Sequence, residues 1–199
     1  MLNLENNLIS DIPPDLLTNM TALTHLHLGS NQLIVVPDLS TVGNTLLTLD
    51  LHNNLIKDIS AYVLTNMTAL KHLDLRSNKI TDISSEAFVG ASSLTILALY
   101  GNSISLLPDL RNMVIKLQNL DVRFNPVNVC ACENLWLKEA QQANVTVLVD
   151  DLNSTCWTTA GHQKLQKDCG KLSSKLHGIH ASQNYKIDGN FAYKSHCDF

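Results

Sequence analysis

The sequence predicts an α/β solenoid, a curved horseshoe whose concave face is a parallel β-sheet. The main observation is a phrase of the form LxxLxLxxNx(L/I/V), complete at 23–33 as LTHLHLGSNQL and present in six copies, the first truncated at 2–9. Successive copies are 23 or 24 residues apart. Within each copy the leucines alternate with other residues, as in a half-buried strand. One such unit cannot bury its apolar face alone, so the units are expected to stack.

An asparagine closes the strand segment of every copy. Stacked turns bury backbone groups, and each buried group without a hydrogen-bond partner costs roughly 1–3 kcal/mol. The asparagine side chain offers both donors and an acceptor. We therefore expect a structural ladder without catalytic duty, formed by Asn7, Asn31, Asn54, Asn78, Asn102 and Asn125.

The segments that return from one strand to the next carry apolar residues at Leu17, Leu64 and Phe88, which we expect to fill the convex side. The shorter repeats contain Pro37 or Pro108 instead. Proline with aspartate or serine at the start of these segments predicts loops with short helical turns.

The repeated phrase resembles the leucine-rich repeat family over residues 2–127. The segment NPVNVCACENLWL then resembles the cysteine-rich C-terminal cap of extracellular members such as Toll-like receptors, Slit-type proteins and variable lymphocyte receptors. The matching positions are Asn125, Pro126, Cys130, Cys132, Trp136, Leu137, Cys156 and Gly161. This resemblance implies disulfides Cys130–Cys156 and Cys132–Cys169. The implied organisation is repeats at 1–127, a cap at 128–170 and a tail at 171–199.

Zinc is the alternative reading of these cysteines, with His162 as a further ligand. The CxC spacing is unusual for structural zinc, so disulfides are favoured. The two implied disulfides use four of the five cysteines and leave out Cys197, which predicts an intermolecular bridge or a reactive thiol. In the tail, alternation around Asp188 and Gly189 predicts a β-hairpin at 183–196. Its aromatic face would dock on the cap of its own chain or on a neighbouring molecule.

Four N-x-(S/T) sequons support an extracellular location, either secreted or in the ectodomain of a longer protein, and they lie at Asn19, Asn66, Asn144 and Asn153. The sequence shows no secretory signal and no run that is long and apolar enough to cross a membrane. Met1 lies inside the first repeat. We therefore expect a fragment of a longer chain, or a second chain that covers the first turn.

Function in such a solenoid is expected on the outward positions of the strands. The candidate ligand-binding residues are His25, His27, Asp50, His52, His72, Asp74, Arg76, Tyr100, Asp121, Arg123 and Phe124. Asp50 and Asp74 should be adjacent like charges, within reach of histidine and arginine. The charged columns form either a solvated salt-bridge lattice or an acidic recognition surface. Tyr100, Arg123 and Phe124 would supply interface anchors.

The four histidines of this face also raise the possibility of a metal site or a pH switch. His25 and His27 should lie about 7 Å apart on one strand. That distance is too long for a shared ion without a residue from the next strand. The sequence therefore favours neither a metal nor a cofactor.

No constellation of nucleophile, base and orienting acid is recognisable, so the sequence predicts no enzyme. A net charge of −4 argues against nucleic acid. The prediction is a non-catalytic module that binds a protein or glycan ligand on the concave sheet, of the receptor or adhesion type. The alternative is a structural subunit of a matrix or fibre, which self-associates through the N-terminal edge, the hairpin and a covalent Cys197 dimer.

Overall fold

The structure, a computed structural model, describes residues 1–110 and 116–150 together with Gln166 and Cys169. Nine strands occur in the described residues: β1 (Leu2–Asn3), β2 (His25–His27), β3 (Thr48–Asp50), β4 (Asp58–Ile59), β5 (His72–Asp74), β6 (Asp82–Ile83), β7 (Ile96–Ala98), β8 (Asn119–Asp121) and β9 (Thr146–Leu148). The main sheet is parallel with the order β1-β2-β3-β5-β7-β8-β9. The predicted solenoid fold is confirmed.

The strands of the main sheet pair in step with the repeat. Leu26, Leu49, Leu73, Leu97 and Leu120 are register partners in successive strands. Each of these leucines is at most 1% exposed, whereas the residues on either side of it point outward. A shift by one residue would reverse the two faces, so the leucine pattern fixes the register.

The convex side is built mostly from turns. Leu17, Leu64 and Phe88 are buried there, as the sequence predicts. In residues 1–110 the single helical return segment is the 3-10 turn Ser40–Val42. Two other return segments pair as strands, because β4 and β6 form a second parallel sheet that the sequence analysis did not anticipate.

The ladder asparagines join consecutive repeats. The Asn54 side chain accepts a hydrogen bond from the backbone N–H of Leu33 at 3.0 Å. It donates to the carbonyl of Leu28 in the preceding repeat and to that of Leu51 in its own repeat, each at 3.0 Å. The same arrangement recurs at Asn31, Asn78, Asn102 and Asn125.

The two ends of the ladder differ from its middle. Asn7 is exposed and donates only within its own repeat, to the carbonyls of Leu4 and Glu5. At the other end Asn134 is fully buried. It accepts from the backbone N–H of Leu107 at 3.0 Å and donates to the carbonyl of Ser105 at 3.2 Å. The ladder therefore continues into the cap through a residue that the sequence analysis did not identify.

The described part of the cap contains a 3-10 turn at Cys132–Asn134, the helix α1 (Trp136–Gln142) and β9. Because β9 pairs with β8, the main sheet crosses the predicted boundary at residue 127. A disulfide joins Cys132 to Cys169, with Cα atoms 5.8 Å apart. Cys130 is also disulfide-bonded, and its implied partner Cys156 lies outside the described residues.

The predictions for Asn153, Cys197 and the hairpin 183–196 also fall outside the described residues. So does the tail 171–199 as a whole. Among the residues that are described, no helix has the length and apolarity needed to span a bilayer.

We expect Asn54→Ala to lower the free energy of unfolding by at least about 2 kcal/mol, because the substitution leaves the buried N–H of Leu33 without its partner. Asn7→Ala is the matched control and should cost less, since Asn7 is exposed and bonds only within its own repeat. Urea unfolding followed by circular dichroism measures both. Equal losses in the two variants would contradict the ladder as the main tie between repeats.

Candidate functional site

Four columns of side chains cross the concave face, one position of each repeat per column. The entry column is His25, Thr48, His72, Ile96 and Asn119, and the centre column is Asn3, His27, Asp50, Asp74, Ala98 and Asp121. The exit column is Glu5, Gly29, His52, Arg76, Tyr100 and Arg123. The turn column is Asn6, Ser30, Asn53, Ser77, Gly101 and Phe124. The strand register thus gathers the predicted site residues on one open surface.

Three aspartates of the centre column support the backbone at the end of their strands. Asp50 accepts a hydrogen bond from the backbone N–H of the residue two positions later at 3.0 Å, and Asp74 does the same. The equivalent bond at Asp121 measures 3.2 Å. This local side-chain-to-backbone bond is typical of aspartate and asparagine at turns. These carboxylates therefore have a structural duty besides any part in recognition.

Two of the aspartates are also neutralised by an arginine of the same repeat. Arg76 donates from Nε and Nη2 to the Asp74 carboxylate, at 2.8 and 2.5 Å. Arg123 donates to Asp121 in the same way, at 3.0 and 2.7 Å. The hydrogen bond that Arg76 donates to Asp74 raises the pKa of Arg76 above its ordinary value. The C-terminal half of the face is thus close to electrically neutral.

The N-terminal half contains carboxylates with histidine neighbours instead. His27 Nδ1 lies 3.6 Å from Glu5 Oε1 and 3.7 Å from Asp50 Oδ2. His52 Nδ1 is only 2.7 Å from Asp50 Oδ1. Partial burial raises the pKa of Asp50, but hydrogen bonds from the backbone and ring of His52 outweigh it, and the net effect is a pKa below its ordinary value.

The other two candidate histidines lie apart from these carboxylates. His25 Nδ1 is hydrogen-bonded to Thr24 Oγ1 at 2.9 Å. His72 is exposed and has Thr48 and Ile96 as its register partners on the neighbouring strands. The four histidines therefore do not form one group.

An aromatic cluster occupies the C-terminal half of the face. The rings of Tyr100 and Phe124 meet edge to face, with centroids 4.8 Å apart. The Arg123 guanidinium lies 5.8 Å from the Tyr100 ring centroid, within the range of a cation–π interaction. Phe124 remains 63% exposed despite these contacts. The three predicted anchors thus form one contiguous cluster.

Phe124 is also unusual in its backbone conformation. Every residue of the turn column has a positive φ, between 52° and 67°. Asparagine and glycine adopt this left-handed region readily, whereas a bulky side chain does so at a cost of roughly 1 kcal/mol or more. The other members of the column are asparagine, serine or glycine. Phe124 therefore adopts this conformation at a cost, and its ring packs on Tyr100 at the exposed face and not in the core.

The sequence analysis missed two residues that shape this end of the face. Asp150 accepts a hydrogen bond from the backbone N–H of Phe124 and so supports the strained turn. Leu148 lines the concave trough beside Asp121. The signal was available in the VTVLVD segment at 145–150, where Val147 and Val149 alternate like the strand leucines and are buried.

Three of the predicted glycosylation sites are exposed and accessible to modification: Asn19, Asn66 and Asn144. Asn19 and Asn66 lie in return segments and not in the main-sheet strands. Glycans at these two positions would leave the concave face open.

Comparison with known proteins supports the leucine-rich repeat fold. Residues 44–104 match the family model described as "Leucine rich repeat". No curated protein matches the chain by sequence.

Several solved structures resemble the chain. The TLR13–ssRNA13 complex has a TM-score of 0.58 and 23% identity, and the match covers 63% of this chain. The Drosophila Toll–Spatzle complex has a TM-score of 0.51 and 26% identity, and the match covers 61% of this chain. A leucine-rich repeat protein of Leptospira interrogans has a TM-score of 0.60 and 26% identity, and the match covers 75% of this chain. The matches span 18%, 21% and 36% of those three chains, so the likeness concerns the fold of part of each protein.

Replacing Phe124 by asparagine should leave the free energy of unfolding unchanged or raise it by up to about 1 kcal/mol. Asparagine tolerates the left-handed conformation, and the exposed ring contributes little burial. Tyr62 is a matched control, because it is 59% exposed with a φ of 61°. Tyr62→Asn should change the free energy of unfolding by a similar amount. A loss above 1 kcal/mol for Phe124→Asn alone would show that the ring is needed for the fold.

Asp50→Asn should lower the stability at pH 7 by less than about 1 kcal/mol, because the pair with His52 is partly solvated. A lowered pKa contributes stability above the ordinary aspartate value, near 4, and this contribution disappears as the pH falls through the folded-state pKa. The deficit should therefore vanish towards pH 2. Urea titrations across this range measure it, with the exposed Asp82→Asn as control. A deficit that persists at pH 2 would contradict the electrostatic cause.

Proposed function

We propose that this chain, a solenoid with the leucine-rich repeat fold, is a non-catalytic recognition module that binds a protein partner on its concave sheet. The observation that carries the proposal is Phe124, an exposed aromatic residue in a left-handed turn, in contact with Tyr100. Strained, exposed residues without a role in the core are concentrated at functional sites.

The surroundings of Phe124 fit a protein interface. Tyrosine, arginine and other aromatic residues dominate the binding energy of such interfaces, usually near the centre of the contact. Tyr100 packs against Phe124, and the Arg123 guanidinium lies over the Tyr100 ring. The ion pairs of Asp74 and Asp121 flank the cluster and could serve as a polar rim. Tyr100 follows β7 by two residues, and Arg123 and Phe124 follow β8 by two and three residues.

Catalysis is not part of the proposal. Histidine and aspartate do meet on the described strands, but on an open sheet. Coexistence of these residue types on a solvated surface is weak support for an enzyme.

The matched structures are compatible with more than one class of ligand. Toll is seen with Spatzle, and TLR13 is seen with ssRNA13. The expectation that nucleic acid is excluded therefore has no support from the comparisons. Protein is favoured here by the aromatic cluster and by the net charge of −4, which disfavours a polyphosphate partner. RNA and glycan are competing outcomes of the binding test.

An extracellular setting, secreted or within an ectodomain, is proposed with this function. The disulfide between Cys132 and Cys169 supports an oxidising compartment. The exposed sequons at Asn19 and Asn66 are compatible with it. A receptor or adhesion role would follow from this location.

The alternative, a structural subunit, requires self-association through the N-terminal edge, the tail or Cys197. Light scattering after size exclusion tests it directly, with and without reductant. A covalent dimer that is lost in Cys197→Ser would favour assembly over recognition of a soluble ligand.

The binding experiment uses the full chain as bait, in three forms: wild type, Phe124→Asn and Tyr62→Asn. Secreted proteins from the source organism are captured and identified by mass spectrometry, and a glycan array and single-stranded RNA are probed in parallel. We expect at least one protein to bind the wild type and Tyr62→Asn but to lose at least tenfold affinity for Phe124→Asn, because the anchor ring is removed.

Equal binding by all three forms would place the interface elsewhere. Binding of RNA or of a glycan that depends on Phe124, without a Phe124-dependent protein, would replace the proposed ligand class. Phe124 and Tyr62 are both exposed and both have a positive φ. A loss of binding in Phe124→Asn alone therefore reports on the concave surface and not on a change in the fold.

A further inference from the structure

We infer that Glu5, His27 and Asp50 form a binding site for a divalent transition-metal ion of the zinc type on the N-terminal half of the concave face. The three residues come from the first, second and third repeats. Their donor atoms lie within 4.8 Å of one another. The site shares no residue with the aromatic cluster, so this inference is independent of the proposed function.

The spacing of the donor atoms is that of ligands to a common ion. His27 Nδ1 lies 3.6 Å from Glu5 Oε1 and 3.7 Å from Asp50 Oδ2, longer than an ordinary hydrogen bond in both cases. Zinc bonds of about 2.0–2.2 Å in a tetrahedron place neighbouring ligand atoms about 3.4 Å apart. The donor atoms of Glu5 and Asp50 lie within 4.8 Å of each other, so these carboxylates would move towards each other and towards His27 Nδ1 to close the site around an ion.

The chemistry of the donors also selects the class of ion. Imidazole nitrogen and carboxylate oxygen are both zinc ligands in proteins, and a site with three protein ligands leaves a fourth position open. Calcium and magnesium prefer oxygen ligands alone. The histidine therefore distinguishes this site from a simple acidic patch.

The charge balance of the cluster points in the same direction. Among the described residues, neither Glu5 nor Asp50 forms an ion pair with lysine or arginine, whereas Asp74 on the neighbouring strand is paired with Arg76. Asp50 and Asp74 are register partners, and like charges placed opposite each other are destabilising. A divalent cation beside Asp50 would offset what remains of this repulsion, and it would supply to Glu5 and Asp50 the positive charge that Arg76 supplies to Asp74.

His52 and Gly29 hold Asp50 in position for this role. His52 Nδ1 lies 2.7 Å from Asp50 Oδ1, which leaves Oδ2 on the side of His27. The His52 ring lies directly over Gly29, where an added Cβ would come within 2.2 Å of the ring. Hydrogen-bonded support of a ligating carboxylate is usual around metal sites. His52 is thus a positioning residue.

A second donor group, Asp50 with His52 and Asp74, overlaps the first. Its third member, Asp74, already has a strong partner, because Arg76 holds the Asp74 carboxylate. The group of Glu5, His27 and Asp50 is therefore assigned as the site. The sequence-based expectation of no metal rested on histidines within one strand, whereas these ligands come from three strand ends.

The test is isothermal titration of the untagged full chain with zinc chloride, and with calcium chloride in parallel. We expect one zinc ion per chain, and at least a tenfold loss of affinity in His27→Gln and in Asp50→Asn, because each removes one ligand. His72→Gln is the matched control, a histidine of the same face that forms no ion pair with a carboxylate among the described residues, and should bind like the wild type. Phe124→Asn should also bind zinc normally, which separates this inference from the proposed function.

Circular dichroism of each variant verifies the fold, and zinc should raise the melting temperature of the wild type but not of folded His27→Gln. The inference is overturned by the absence of saturable zinc binding, by equal losses in His27→Gln and His72→Gln, or by a site that takes calcium in preference to zinc. Loss of zinc in His27→Gln with an intact fold and an intact His72→Gln site would establish it.

Discussion

The hydrogen-bonded asparagine ladder is the constraint on which the rest of the structure depends. Each turn of the solenoid buries backbone groups that no strand partner reaches, and one amide side chain per repeat satisfies them across two repeats. Because a buried unsatisfied group costs about as much as several good contacts contribute, the amide fixes where every strand ends. The leucines can then pack in one register from Leu26 to Leu120.

The same constraint explains where the chain is free to vary. The residue before each ladder asparagine must adopt a positive φ, and asparagine, serine or glycine fills this position in five of the six repeats. The outward positions of the strands have no comparable restriction beyond a turn-stabilising aspartate. Phe124 departs from the pattern at a conformational cost, and it does so beside Tyr100. Chemistry that the fold does not require is thus confined to the concave face.

The concave face divides into two halves with different electrostatics. Arginines neutralise Asp74 and Asp121 in the C-terminal half, and these two ion pairs flank an aromatic cluster. In the N-terminal half histidines take the place of the arginines beside Glu5 and Asp50. The proposed protein-binding cluster and the proposed metal site thus lie in different repeats of the same sheet face.

The sequence by itself determined the repeat, the strand leucines, the ladder and the composition of the concave face. These features are local and periodic, so the sequence of one repeat already predicts its strand, its buried leucines and its ladder asparagine, and the other repeats show the same pattern. Only the tertiary structure decided which outward residues pair: Asp74 and Asp121 with arginines two residues later, but His27 with carboxylates from both neighbouring repeats. It also decided that Asn134 and β9 continue the solenoid into the cap. The arginine pairs depend on side-chain directions, and the other contacts depend on partners more than twenty residues away; the repeated phrase encodes neither.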